Sequence, residues 1–244
     1  MQLSKRLQAV ADLVTQGYRI ADVGCDHAYT SIYLADSGIS PQVIAMDVNQ
    51  GPVDKAKENV KRYGCNDRVE VRKSDGLEKL KPGEVDTILI GGMGGALTIE
   101  ILNRRRDILK EIKELVLQPQ SEIGKVREML TQSGFLIIKE NMVREDGKYY
   151  VMMKAVQRTS IENQADYTLI RQEQLYYGRL LLDARHPVLK EYLQWELGIC
   201  EEVLGSLNAE QTDNTLARKK DFMEKIELIH RGLEYFDKEL RTPK

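Results

Sequence analysis

The chain is predicted to be an α/β protein built on a mostly parallel sheet, with a small helical part after it. Three observations lead there. Up to about residue 157, short β-rich segments alternate with helical ones, the pattern of a parallel sheet covered by helices. In the run Tyr18-Arg-Ile-Ala-Asp22-Val-Gly24-Cys-Asp26-His27-Ala28-Tyr29-Thr30, an apolar strand meets a small-residue turn, and a helical pattern (Ile32, Leu34, Ala35) follows at once. Such a turn at the carboxyl edge of a parallel sheet lets backbone N–H groups face a nucleotide-type ligand. Beyond residue 157 strand signals stop, glycine becomes sparse and the apolar residues adopt a 3.5-residue repeat.

Taken in order, Met1 to Val14 alternates charged and apolar residues at helical spacing. It has no apolar block or cleavage site of a signal peptide, so a cytoplasmic location is expected. Strands are expected at Arg19 to Val23, Val43 to Asp47, Val69 to Lys73, Asp86 to Ile90 and Leu115 to Leu117. Helices are expected at Tyr29 to Ser37, Pro52 to Arg62, Ala96 to Ile108 and Ile123 to Gln132, each closed by glycine or a polar turn. Two last strands, Phe135 to Val143 and Tyr149 to Val156, flank Asp146-Gly147, a strong hairpin signal, so the sheet should end antiparallel.

In the helical part, Leu193, Leu197, Cys200, Leu204 and Leu207 are spaced four and three apart, as are Phe222, Ile226, Ile229, Leu233, Phe236 and Leu240. Two helices joined through Asn208 to Asp213 should therefore pack antiparallel in a coiled-coil-like hairpin, with Trp195 packing near the seam. The expected domains are 1–157 and 158–244.

The 244 residues suffice for one domain and an appendage, and 42% apolar with 30% charged residues is a soluble composition. No apolar run approaches the roughly 20 residues of a membrane span. Cys25, Cys65 and Cys200 are too scattered for a disulfide framework or a zinc site, and His186 and His230 lack neighbouring ligands, so no metal is expected. A net charge of −2 gives no overall attraction to nucleic acid. Any such contact must come from local patches, for which Lys5-Arg6 and Arg104-Arg105-Arg106 are the candidates, or else they form a solvated face.

The glycine spacing excludes two ligand classes, because neither the dinucleotide G-x-G-x-x-G nor a P-loop is present. Asp47 ends the second strand, where an acid can accept hydrogen bonds from both ribose hydroxyls of an adenosine ligand or can simply form a turn. Ser74-Asp75-Gly76 follows the third strand and is turn chemistry in any protein. The fourth strand runs into Gly91-Gly92-Met93-Gly94-Gly95, whose four glycines cost considerable backbone entropy and bring backbone and Met93 close to whatever binds there. His27 and Tyr29 either face the ligand or cap and pack on the following helix. Cys25 fits the turn as a small residue. Gln118-Pro119-Gln120 ends the fifth strand, either facing a substrate or only terminating the strand.

The Asp22-x-Gly24 turn resembles a variant first motif of the class I methyltransferases. Taken with Asp47, Ser74-Asp75-Gly76, Gly91-Gly-Met-Gly-Gly95, Gln118-Pro-Gln120, Asp146-Gly-Lys-Tyr-Tyr150 and Arg185-His-Pro-Val-Leu-Lys-Glu-Tyr192, nearly the whole chain resembles the bacterial TrmK family. These are tRNA adenine-N1 methyltransferases acting at tRNA position 22. The resemblance implies a seven-stranded Rossmann-like sheet, S-adenosylmethionine as donor with S-adenosylhomocysteine as product, and tRNA as substrate; no obligatory protein partner is evident in the sequence, which leaves the oligomeric state open. It implies donor contacts at Asp22, Gly24, Cys25, Asp26, His27, Asp47, Val48, Ser74, Asp75, Gly76, Gly91 and Gly92. Asp22, His27, Tyr29, Gly92 and Met93 would surround the reacting atoms, and Lys5, Arg6, Arg104 to Arg106, Gln118 and Pro119 would meet RNA. Two other functions fit the residues: methylation of a protein or small molecule, and a non-catalytic adenosine-binding scaffold whose hairpin recruits a partner.

Overall fold

A computed structural model describes residues 1–158, 171–207 and 213–237. The expected hairpin connection over 208–212 and the seam residue Leu240 lie outside the described residues. The chain forms two compact units, Met1–Tyr167 and Thr168–Lys244.

The first unit carries seven strands: β1 (Ile20–Val23), β2 (Val43–Asp47), β3 (Val69–Lys73), β4 (Thr87–Gly91), β5 (Glu114–Gln118), β6 (Phe135–Glu145) and β7 (Lys148–Gln157). They form one sheet in the order β3-β2-β1-β4-β5-β7-β6. The first five are parallel, with Val23 beside both Met46 and Ile90, whereas β7 runs antiparallel to both β5 and β6. Every residue of β1 and β5 is buried, as expected for strands covered on both faces. Asp146 and Gly147 both have positive φ (49° and 74°), the geometry of a two-residue turn between Glu145 and Lys148. The strand order reverses between β1 and β4, so a crevice is expected outside their carboxyl ends.

Helices α1 (Lys5–Ala11), α2 (Tyr29–Asp36), α3 (Gln50–Arg62), α4 (Gly95–Arg104), α5 (Arg106–Leu109) and α6 (Ile123–Gln132) complete this unit. The helix expected over Ala96 to Ile108 is broken at Arg105, whose backbone leaves the helical region (φ −125°, ψ 55°). The break has a long-range cause: the Arg105 guanidinium donates to the carbonyls of Leu77 (2.7 Å), Glu78 (3.2 Å) and Leu80 (3.2 Å), and it also pairs with Asp107.

Two buried or half-buried carboxylates of this unit, Glu114 and Asp86, are matched by cations. Glu114 accepts from the Thr15 backbone N–H (2.9 Å), the Thr15 and Thr87 hydroxyls (2.6 and 2.9 Å) and Lys154 (2.7 Å). Burial alone would raise the Asp86 carboxyl, but hydrogen bonds from Arg19 and Lys113 hold it far below the usual carboxylate range.

The second unit contains α7 (Gln172–Tyr177), α8 (Arg179–Asp183), α9 (Pro187–Leu207) and α10 (Asp213–Asp237). Lys190 lies over the Phe236 ring, Leu193 lies beside Gly232, and Glu196 pairs with Lys225 (2.9 Å), so α9 and α10 run antiparallel. Leu193, Cys200 and Ile229 are fully buried. Glu196 also accepts from the Tyr192 hydroxyl (2.7 Å) and the Tyr177 hydroxyl (3.4 Å), and burial raises both phenols. Trp195 is 51% exposed and departs from the expected seam position: it lies two residues past Leu193 and so points off the packed stripe.

Candidate active site

Three chain segments converge on the crevice between β1 and β4. The first leaves β1 at Asp22, whose carboxylate is buried and accepts from the Ser31 hydroxyl at 2.6 Å. Burial pushes the Asp22 carboxyl up to about 6; the Ser31 hydrogen bonds oppose the shift and the charge of Asp47 adds to it. Gly24 follows with φ +73°, a backbone conformation that favours glycine, and a Cβ there would fall 2.1 Å from the Met93 terminal methyl and displace that flexible side chain. The Gly24 and Cys25 N–H groups donate to the Met46 carbonyl (2.8 and 3.0 Å). Burial raises the Cys25 thiol strongly, which leaves it a packing residue.

Asp26 (φ 51°) and Ala28 (φ 60°) both adopt the left-handed conformation, in the stretch where a plainer turn would carry glycine. The Asp26 N–H donates to Asp47 (3.3 Å), the His27 carbonyl accepts from Asn59 (3.0 Å), and His27 Nε2 lies 3.6 Å from Asp26. His27 Nδ1 is buried with no hydrogen-bond partner among the described residues. Tyr29 opens α2 with its ring 5.9 Å from that of His27 and is 39% exposed.

The second segment comprises the ends of β2 and β3. Asp47 is half-buried and also accepts from the Asn49 N–H (3.0 Å), while Val48 beside it is exposed. Ser74 is buried and braces its own loop, donating to the Gly76 carbonyl (2.9 Å) and accepting from the Lys79 N–H (3.1 Å). Asp75 is half-exposed and pairs with Arg104 (3.2 Å).

The third segment is the glycine run after β4. The Gly92 N–H donates to the side-chain Oε1 of Gln118 (3.1 Å), and Gly91 lies beside Gln118 in the sheet register. Met93 is held through its carbonyl by the Gln120 N–H (2.8 Å), and its side chain reaches back over Gly24. A Cβ on Gly95 would fall 2.3 Å from the Ser121 carbonyl, so this glycine lets α4 start against the following loop.

Among the candidate RNA contacts, Arg6 is brought to the crevice. Its Nη1 donates to Gln118 Oε1 (2.8 Å), its guanidinium lies 5.4 Å over the Tyr150 ring and its backbone N–H donates to Glu145 (3.2 Å). Lys5 reaches the Arg144 carbonyl (3.3 Å). The arginine run departs from the expected single basic patch: Arg104 is matched by Asp75 and Glu100, Arg105 is consumed by the 77–80 carbonyls and Asp107, and Arg106 donates to Asn103 (3.1 Å). Pro119, like Gln118 before it, is buried.

Ser31, Asn59, Tyr150 and Glu145 are absent from the sequence-derived set. Ser31 carried a local signal, as a hydroxyl in the first turn of α2, where helix donors await an acceptor, and Tyr150 belonged to a segment quoted above but was given no role.

The crevice therefore combines a buried carboxylate, a second carboxylate one strand away, an orphaned buried imidazole nitrogen and close-approach glycines. That donor set suits a ligand bearing both cationic and hydroxyl groups, as S-adenosylmethionine does. Among the described residues no group of His, Cys, Asp or Glu could hold a metal, and no helix is long and apolar enough to cross a membrane.

Residues 3–153 match the family model of a methyltransferase domain. Over 238 residues the chain is 35% identical to the Bacillus subtilis tRNA (adenine(22)-N(1))-methyltransferase, covering 95% of this chain and 99% of that one. The solved structure of Bacillus subtilis TrmK superposes with a TM-score of 0.83 at 31% identity, covering 95% of this chain and 99% of that one. A Streptococcus pneumoniae protein in complex with S-adenosyl-L-methionine gives 0.83 at 30% identity, over 95% of this chain and all of that one.

Proposed function

We propose, for a chain that belongs to the TrmK family of tRNA (adenine-N1)-methyltransferases, that the β1–β4 crevice holds both the methyl donor and the target adenine. The protein transfers a methyl group from S-adenosylmethionine to N1 of adenine 22 of tRNA. One observation carries the placement: Asp22, Asp47 and the Gly91–Gly95 run, far apart in sequence, meet at the switch point of the sheet.

When bound, the donor supplies an electrophilic methyl group on a sulfonium centre. Asp22 and Asp47 provide negative charge on one side of the crevice, Asp47 placed at the end of β2 for ribose hydroxyls and Asp22 deeper, where its carboxylate favours a cationic ligand. Asp75 and the 74–76 loop border the adenine end, Val48 flanks Asp47 there, and Gly91 and Gly92 line the opposite wall with backbone. Adenine N1 carries a free lone pair, so alignment contributes more than a strong base. Positive charge then passes to the adenine ring, which the carboxylates of Asp22 and Asp26 and the carbonyls of the glycine run stabilise. His27, Tyr29 and Met93 shape the space between donor and base. The base must be exposed from the tRNA fold to enter, and Arg6 with Lys5 is placed to meet phosphate at that mouth. The helical second unit is read as the grip on the tRNA body.

The test combines protein, methyl-labelled donor and an unmodified tRNA transcript, with the label mapped by nuclease digestion. Label at N1 of adenine 22 is expected. Label in a protein or small-molecule fraction, with none in the tRNA, would remove the assignment.

A further inference from the structure

Gln118 closes β5 with its side chain fully buried, and its two amide atoms are treated very differently. Oε1 accepts twice, from Arg6 Nη1 (2.8 Å) and from the Gly92 N–H (3.1 Å). Because both neighbours are donors, the amide orientation is fixed: turning it over would set Nε2 against two N–H groups. Nε2 is thereby left as a buried donor with no acceptor among the described residues. Such orphans are rare in folded proteins and call for an explanation. This one sits on the amide that holds Gly92, in the wall where the methyl group is transferred.

A carboxamide that accepts at one atom and offers a donor at the other matches the Hoogsteen edge of adenine, which presents an N6 amino donor beside the N7 acceptor. That edge leaves N1 free. We propose that Gln118 is the residue that recognises the target adenine, with Nε2 donating to N7 and Oε1 accepting from N6, and that Arg6 is a positioning residue that holds the amide ready. The Arg6 N–H occupies on Oε1 the place an adenine amino group would take. The guanidinium is half-buried and stacked on Tyr150, so it covers the amide until a nucleotide arrives, then swings from Oε1 toward phosphate. Guanine presents acceptors at both O6 and N7, so its O6 would face Oε1 with no proton between them. Discrimination against guanine follows from that mismatch. The inference rests on the assignment of an adenine in tRNA as the methyl acceptor.

The test is a coupling cycle on the full chain. Wild type and Gln118→Glu are each assayed on tRNA carrying adenosine or 7-deazaadenosine at position 22, with donor affinity and thermal midpoint measured alongside. Glutamate keeps an oxygen for Arg6 and Gly92 but has no N–H for N7. Each single change is expected to lower kcat/KM at least tenfold, the two together no further, and donor affinity to stay within twofold. Removing N7 makes N1 more basic, so a slower reaction on the analogue is not a weaker nucleophile. Equal use of both tRNAs by wild type, or losses that multiply in the combination, would overturn the inference. If Gln118→Glu does not fold, wild type on the 7-deaza substrate and on a purine riboside lacking N6 decides alone, full activity on either being fatal. Failure of wild type on ordinary tRNA would instead overturn the assignment beneath it.

Discussion

At the scale of single residues, Asp22 carries the sharpest expectation. Its folded-state carboxyl lies at about 6, above the ordinary 3.8, so the folded protein binds the proton more tightly than the unfolded chain does. The ligand-free protein therefore gains stability as pH falls from about 6 toward 4, by at most about 3 kcal/mol at 1.36 kcal/mol per unit. Donor binding runs the other way, since a cationic ligand favours the ionised form. Its affinity is expected to be flat above pH 7 and to fall by up to about tenfold per unit below 6. Calorimetry across pH 5 to 8 checks both the slope and proton release on binding; affinity independent of pH would place the donor away from Asp22. Asp47→Ala removes the proposed acceptor for two hydroxyls and is expected to weaken donor binding by about 10- to 100-fold, with a stability cost of about 1 to 2 kcal/mol as the Asp26 and Asn49 N–H groups lose their acceptor. Asp22 and Asp47 were legible in the sequence because local pattern marks both positions: Asp22 lies in β1 two residues before the Gly24 turn, and Asp47 ends β2. The Arg6–Gln118 contact was not: its partners are 112 positions apart, and no local periodicity encodes which side chain meets which across α1 and β5.

At the scale of elements, the parallel strands and the 145–148 turn follow from apolar runs and from Asp146-Gly147, which local rules capture well. The break between α4 and α5 follows from none of them. The residues of 96–108 have ordinary helix propensity, and the interruption comes from carbonyls at 77 to 80 drawing Arg105 away. Read as a sequence, the three arginines form a patch; folded, Arg104 and Arg105 are paired with carboxylates while Arg106 donates to the neutral Asn103 side chain. Arg105→Ala is expected to cost about 2 to 3 kcal/mol of stability, because three carbonyls lose a charged donor, and to lower the thermal midpoint by several degrees. A melting curve identical to wild type would show that the bonds to the 77–80 loop carry no weight. Among the described residues Arg106 alone of the three has no carboxylate partner, so it is expected to dominate any salt-dependent tRNA contact from this run.

At the scale of the whole molecule, every donor-site residue named above belongs to the first compact unit. A chain ending at Tyr167 is expected to bind the donor within about threefold of the full chain, a change smaller than 1 kcal/mol. Methylation of tRNA should be lost if the helical unit grips the substrate. Retained methylation at the full rate would assign tRNA binding to the first unit alone. Changes that break the buried cluster around Glu114 act on this unit as a whole; Lys154→Met leaves a buried carboxylate without its cation and is expected to destabilise by about 3 to 5 kcal/mol, read by denaturant titration.

The same cluster bears on the movement proposed for Arg6. Thr15, just past α1, is anchored to Glu114, while Arg6 near its start is anchored by its backbone to Glu145. The short helix is thus tethered at both ends across β5 and the final hairpin, while the Arg6 side chain rests on Gln118 and Tyr150. A tether of this kind turns a loose N-terminal arm into a hinge post: the swing of one side chain is guided, and few alternative poses remain to be lost when a nucleotide enters. Loosening either anchor should therefore blunt substrate capture without touching the crevice itself.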